Sequence, residues 1–188
     1  MKVKQPMETE KTKKNSAWPF FILALAIIVA ATIGSRLLKY RQAESIGTPA
    51  PPVQIDQWIT SPPPDLNGQV YVLEFWATWC PPCKQSIPHM IELTNKYKDK
   101  VSFVAISTDE SPKPVKEMVQ SKGINYYVGM NNSMAAKYSI TGIPSAFVVG
   151  RDGRIAWSGH PMEPGFEHAI VSALNAPPTT LTPEREIK

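Results

Sequence analysis

QVYVLEFWATWCPPCK, residues 69–84, joins a nearly continuous run of β-branched and aromatic residues to two cysteines three positions apart. The run from Gln69 to Trp76 predicts a central strand covered on both faces, and Asn67-Gly68 before it marks a turn. Beyond it, proline stands where the first turn of a helix tolerates it, and Ile87, Met90, Ile91 and Leu93 continue along one side, which predicts a helix from Pro82 to about Lys98. Pro88 within it predicts a kink. Cys80 therefore lies where a strand ends and a helix begins. A thiol there faces unpaired N–H groups and the positive end of the helix dipole, which favour the thiolate, the species that attacks a disulfide. Cys80 is the expected nucleophile. Cys83, one turn into the helix and less exposed, is placed to attack the resulting mixed disulfide and release the partner as a dithiol. Pro81 and Pro82 remove N–H donors from the Cys80 sulfur and stiffen the turn, so only moderate support for the thiolate is expected. Trp79, beside the nucleophile, reads as a surface offered to a substrate, and Trp76 as core.

Working outward, Cys80 and Cys83 are the only cysteines in 188 residues. That excludes a disulfide-stapled scaffold, a four-cysteine iron–sulfur site and a cysteine-only zinc site. His89, His160 and His168 are not at paired zinc spacing, and Lys84 stands where haem attachment needs a histidine. Leu73 and Ala77 stand where a PxxxTxxC peroxidatic site needs proline and threonine. The seven methionines are scattered without metal-site spacing. Neither a metal nor a cofactor is expected.

Strand and helix signals alternate along the rest of the chain. Gln54 to Ile59 reads as a short strand and Val101 to Ser107 as a second buried one. Val115 to Lys122 reads as a helix ended by Gly123, and Ser133 to Tyr138 as a short helical piece. Ala146 to Val149 and Arg154 to Ser158 read as a hairpin closed by GRDG, and Phe166 to Leu174 as a last helix. The pattern predicts an α/β fold with a mixed central sheet flanked by helices.

Charge is distributed unevenly. Residues 1–16 hold five Lys and two Glu, Arg36, Lys39 and Arg41 follow, and residues 42–188 carry 12 basic and 14 acidic side chains. The net +4 is thus confined to the flanks of an apolar run, and a nucleic-acid partner is set aside. That run, Ala17 to Gly34, has 18 residues without a charge, or roughly 27 Å of helix, and is expected to cross a membrane once. Five Lys before it against three basic residues after favour an inside N-terminus. The run exceeds the apolar region of a signal peptide, and no convincing small-x-small site precedes Arg36. The expected organisation is a cytoplasmic tail (1–16), a transmembrane anchor (17–34), a semi-rigid linker (35–53), a folded domain (54–175) and a Pro-rich tail (176–188).

FWATWCPPCK (75–84), the later Thr141-Gly142-Ile143-Pro144 and the Asp152-Gly153 hairpin together resemble a membrane-anchored thioredoxin-like protein of the TlpA/ResA/DsbE type, over about residues 49–175. The resemblance implies the thioredoxin fold and thiol-disulfide exchange on the outer side of a bacterial cytoplasmic membrane, mostly as a reductant and with a place in cytochrome c maturation. Protein disulfides are the implied substrates. Another thiol protein, a membrane electron conduit among the candidates, is the implied source of electrons. The resemblance also implies that Glu74, costly in mid-strand, matches a buried acid that serves the second cysteine in proton transfer, with its pKa raised by desolvation. It further implies that the Ile143–Pro144 bond is cis, and that this loop lies against the cysteines and pairs with an incoming peptide. Ser86 departs from the pattern, since many relatives carry Glu there. A thioredoxin-like Cu(I) carrier is the rival reading, and the CxxC spacing counts against it.

Overall fold

The computed structural model describes residues 18–43 and 45–177, with side chains at 21–34 and 45–177. The chain divides into two compact units, residues 1–38 and 39–188. Helix α1 (Trp18–Ala43) shows exposed side chains from Phe21 to Ile33. The expected span 17–34 falls on this stretch, with its first four residues outside the described side chains. Among the described residues no helix is long and apolar enough to cross a membrane. The expected tail at 1–16 lies outside the described residues, as does 178–188.

The second unit is built on six strands, β1 (Gln57–Trp58), β2 (Val70–Trp76), β3 (Val101–Ser107), β4 (Tyr127–Met130), β5 (Ser145–Val149) and β6 (Ile155–Gly159). They lie in the order β1-β4-β3-β2-β5-β6. β2 and β3 run parallel, as do β3 and β4, while β5 is antiparallel to β2 and to β6, and β1 to β4. The sheet is therefore mixed, as the sequence pattern predicts. Helices α2 (Pro81–Tyr97), α3 (Pro112–Lys122), α4 (Asn132–Lys137) and α5 (Gly165–Asn175) connect the strands or close the chain.

Every residue of β2 is buried, which is why it reads as a continuous apolar run instead of an alternating one. Successive side chains still point to opposite faces. Val70, Val72 and Trp76 pack in one cluster with Ile87, Met90 and Leu93 of α2 and Phe166 and Ile170 of α5. Tyr71, Leu73 and Phe75 pack on the other face with Met134, Tyr138 and Phe147. By this alternation Glu74 belongs to the α2/α5 face, the only charged residue of the strand. Its register partners on the two sides are Ala105 and Ala146, small residues that leave room for the carboxyl group.

The structure departs from the sequence expectations in four places. β4 has no expectation in the sequence, because four residues containing a glycine are too short for a period. The strand expected at 54–59 shrinks to Gln57–Trp58. α3 begins three residues early, since Pro112 and Pro114 suit a first turn; its end is as expected, with Gly123 in the left-handed region at φ 65°. The fourth departure corrects the linker reading. Residues 45–53 run along the β5–β6 hairpin, with Gly47 N–H donating to the Ile155 carbonyl (2.7 Å) and Ala50 N–H to the Gly153 carbonyl (2.8 Å). Tyr138 adds its hydroxyl to the Pro51 carbonyl at 2.7 Å. Proline and glycine in this stretch thus mark a strap held by its backbone groups, not a spacer.

Candidate functional site

α2 follows β2 after the four residues Ala77–Cys80, and Cys80 is its N-cap residue. Cys80 and Cys83 are joined in a disulfide, their Cα atoms 5.3 Å apart. Of the first-turn amides, Pro81 and Pro82 have no N–H, and the one that remains, Cys83 N–H, donates to Cys80 Sγ at 3.3 Å. Lys84 N–H donates to the Cys80 carbonyl at 3.2 Å. A thiolate at this sulfur would receive one amide donor and the positive end of a 17-residue helix. Cys80 is 3% and Cys83 1% exposed, so the order of exposure is as expected but both sulfurs are covered. Part of the cover is the loop before β5. The Ile143–Pro144 bond is cis, and the Ile143 carbonyl oxygen lies 3.7 Å from Cys80 Sγ. Ser145 braces this loop by donating its hydroxyl to the Gly142 carbonyl at 2.8 Å. Trp79 projects outward with 65% of its surface exposed, whereas Trp76 is buried. The indole N–H of Trp76 has no hydrogen-bond partner among the described residues.

Glu74 is buried, and burial pushes its carboxyl from 4.5 up to about 8, against an opposing hydrogen bond from Ser86. Ser86 Oγ lies 3.2 Å from Glu74 Oε1 and 2.8 Å from the Cys83 carbonyl oxygen. The serine thus links the carboxyl to the helical turn that carries the second cysteine. A glutamate at this position would set a second carboxylate beside Glu74; the hydroxyl instead supplies a donor. Tyr126, buried on the same face, has its phenol pushed well above the ordinary value, first by burial and then by the charge of Glu74.

One part of the site has no counterpart in the sequence reading. Asp109, 4% exposed, follows β3, the strand beside β2. Its carboxylate accepts from Thr78 N–H (2.9 Å), Thr78 Oγ1 (2.5 Å) and Ser107 Oγ (2.7 Å). Its own N–H donates to Ser107 Oγ at 3.0 Å. Thr108 N–H donates to the Trp76 carbonyl. The available signal was an acid placed just past the C-terminal end of a buried strand, an edge where α/β proteins gather functional groups. Its link to Thr78 spans 31 residues and has no local signature.

A cysteine pair at the start of a helix, a cis-proline loop over its first sulfur and a mixed sheet behind it define a thioredoxin-like protein. A thioredoxin-like family model matches residues 67–155. The thiol-disulfide oxidoreductase ResA of Oceanobacillus iheyensis is 30% identical over 167 residues, covering 82% of this chain and 87% of the relative. ResA of Bacillus thuringiensis is 35% identical over 94 residues, 48% of this chain and 54% of the relative; the chain thus spans about half the length of the first curated relatives it matches. Among solved structures, a thiol:disulfide interchange protein of the thioredoxin family from Chlorobium tepidum is 29% identical with a TM-score of 0.59, over 68% of this chain and 98% of that one. The chain belongs to the ResA-type family of thioredoxin-like thiol-disulfide oxidoreductases.

Proposed function

We propose that this protein reduces disulfides of other proteins outside the cytoplasm through the Cys80/Cys83 dithiol. The observation that carries the reading is Cys80, an N-cap sulfur with an amide donor at 3.3 Å, set 3.7 Å from the carbonyl of a cis-proline loop. In the reduced protein the Cys80 thiolate attacks one sulfur of a substrate disulfide. That S–S bond breaks, the departing substrate sulfur takes up a proton, and a mixed disulfide forms at Cys80. The Cys83 thiolate then attacks the Cys80 sulfur, forms the Cys80–Cys83 disulfide and releases the second substrate thiol. Two electrons pass to the substrate, and a dithiol protein must supply two to restart the cycle. Trp79, Ile143 and Pro144 form the surface that meets the substrate, and Glu74 exchanges a proton with Cys83 through the turn that Ser86 ties to it.

The same proposal places the domain on the outer side of a bacterial cytoplasmic membrane, anchored by residues 17–34 with the N-terminus inside and loaded by a thiol partner such as a membrane electron conduit. What supports this is the uncharged apolar run, the exposure of its side chains from Phe21 to Ile33 and the basic residues flanking it. A place in cytochrome c maturation follows the resemblance to this subgroup. The reduction potential of the Cys80–Cys83 pair, measured by equilibration with glutathione, tests the direction. A value near roughly −270 mV fits a dedicated reductant, and one near roughly −120 mV makes the protein a disulfide donor. Labelling of Cys80 in intact, reduced cells by a membrane-impermeant thiol reagent tests the location; protection until lysis would refute it.

A further inference from the structure

The loop Ala77–Cys80 carries the nucleophile and has few ties of its own. Within itself it is closed by one backbone bond, Cys80 N–H to the Ala77 carbonyl at 3.3 Å; its last residue is tied to α2 by Lys84 N–H on the Cys80 carbonyl at 3.2 Å, and Pro81 and Pro82 follow only after the sulfur. Its outer tie is Asp109, whose carboxylate binds both the N–H and the hydroxyl of Thr78. Among the described residues no cation pairs with Asp109, so this buried carboxyl group is satisfied by hydrogen bonds alone, two of them from the loop. A buried carboxylate held in that way is costly to leave unpaired, which makes the clamp stiff.

We propose that Asp109, acting through Thr78, is a positioning residue of the dithiol: it holds the loop so that, once the disulfide is open, Cys80 stays where Cys83 can reclose on it. The inference rests on the oxidoreductase reading and adds a residue to it. In the oxidised protein the disulfide itself ties Cys80 to α2, and the clamp restrains little that is still free. In the reduced protein and in the mixed disulfide that tie is gone, and the clamp shares the restraint of the loop with the Lys84 N–H bond to the Cys80 carbonyl. Removing it frees backbone in the reduced state more than in the oxidised state. The effective concentration of one thiol at the other falls, and the equilibrium moves toward the dithiol.

The test compares full-length wild type with Asp109→Asn, Thr78→Val and Thr78→Ser, each equilibrated with glutathione, alongside the thermal midpoints of both redox forms. Thr78→Val keeps the shape and the backbone bond but removes the hydroxyl. It should lower the equilibrium constant for disulfide formation about tenfold, the freedom of about one backbone residue regained in the reduced state alone, which raises the potential by about 30 mV. Asp109→Asn should shift it in the same direction, and Thr78→Ser, which retains the donor, should stay within twofold of wild type. A clamp that served stability alone would lower both midpoints equally and leave the potential in place. Variants within twofold of wild type overturn the inference while leaving the oxidoreductase reading intact. A wild-type protein that does not exchange with glutathione at all overturns both.

Discussion

Replacing Glu74 by Gln removes the only carboxyl group from the centre of the sheet while preserving the shape of the side chain. The size of the effect follows from its surroundings. Glu74 is 2% exposed, flanked by two alanines, and its carboxyl is pushed from 4.5 up to about 8 by burial. That difference corresponds to about 5 kcal/mol, at about 1.4 kcal/mol per pH unit. The sign follows from proton binding. Between pH 4.5 and 8 the unfolded chain has released this proton and the folded protein retains it, so unfolding becomes easier as pH rises. The stability contributed by the protonated form is complete below pH 4.5 and lost as pH passes 8. Between pH 5 and pH 8 wild type should lose about 3 to 4 kcal/mol from this group, and Glu74→Gln should not. The assay is urea unfolding of the oxidised protein at both pH values, followed by tryptophan fluorescence, with the variant as reference. Equal pH dependence in wild type and variant would refute the reasoning, because it would mean that the carboxylate is ionised and solvated in the fold. In stopped-flow resolution of a mixed disulfide, the rate for wild type should climb toward pH 8 as Glu74 becomes able to accept the Cys83 proton, and Glu74→Gln should be slower and lack that step.

Cys83→Ser should trap a stoichiometric mixed disulfide at Cys80 with an oxidised protein substrate, visible on a non-reducing gel, whereas Cys80→Ser should trap none. Trp79→Ala should slow reduction of a protein substrate about tenfold, the loss of one good aromatic contact, yet leave the rate with a small disulfide within twofold. Its stability should change by less than about 0.5 kcal/mol, as expected for an exposed side chain. Tyr138→Phe breaks the bond to the Pro51 carbonyl that holds the strap 45–53. It should cost about 1 to 2 kcal/mol in chemical denaturation and increase proteolysis within 45–53. An unchanged midpoint would mean that the strap contributes nothing to the fold.

Much of the site is legible before any coordinates. A seven-residue strand buried on both faces must be rich in β-branched and aromatic residues, and VYVLEFW is. A helix can begin with two prolines because its first amides lack partners in any case; the same fact leaves Cys83 N–H as the one first-turn donor for Cys80. These features act within a few residues of each other. The short β4 escaped because four residues cannot display a period, and the strap 45–53 escaped because its hydrogen bonds come from backbone groups, which every sequence has.

What the sequence by itself determined was the local chemistry: a strand–helix junction with a thiol at the helix start, a second thiol one turn on, and an acid in mid-strand that needed a reason to be there. What only the tertiary structure decided was the company these groups keep. The Asp109–Thr78 clamp joins residues 31 apart, the Ile143 carbonyl meets a sulfur 63 positions away, and Tyr138 reaches back 87 residues to Pro51. Each contact depends on the order β1-β4-β3-β2-β5-β6, which sets the loop after β3 and the loop before β5 on either side of the end of β2. Hydrophobic burial selects that arrangement through the whole core, and it is nondirectional, so no short segment announces which distant polar groups it will bring together.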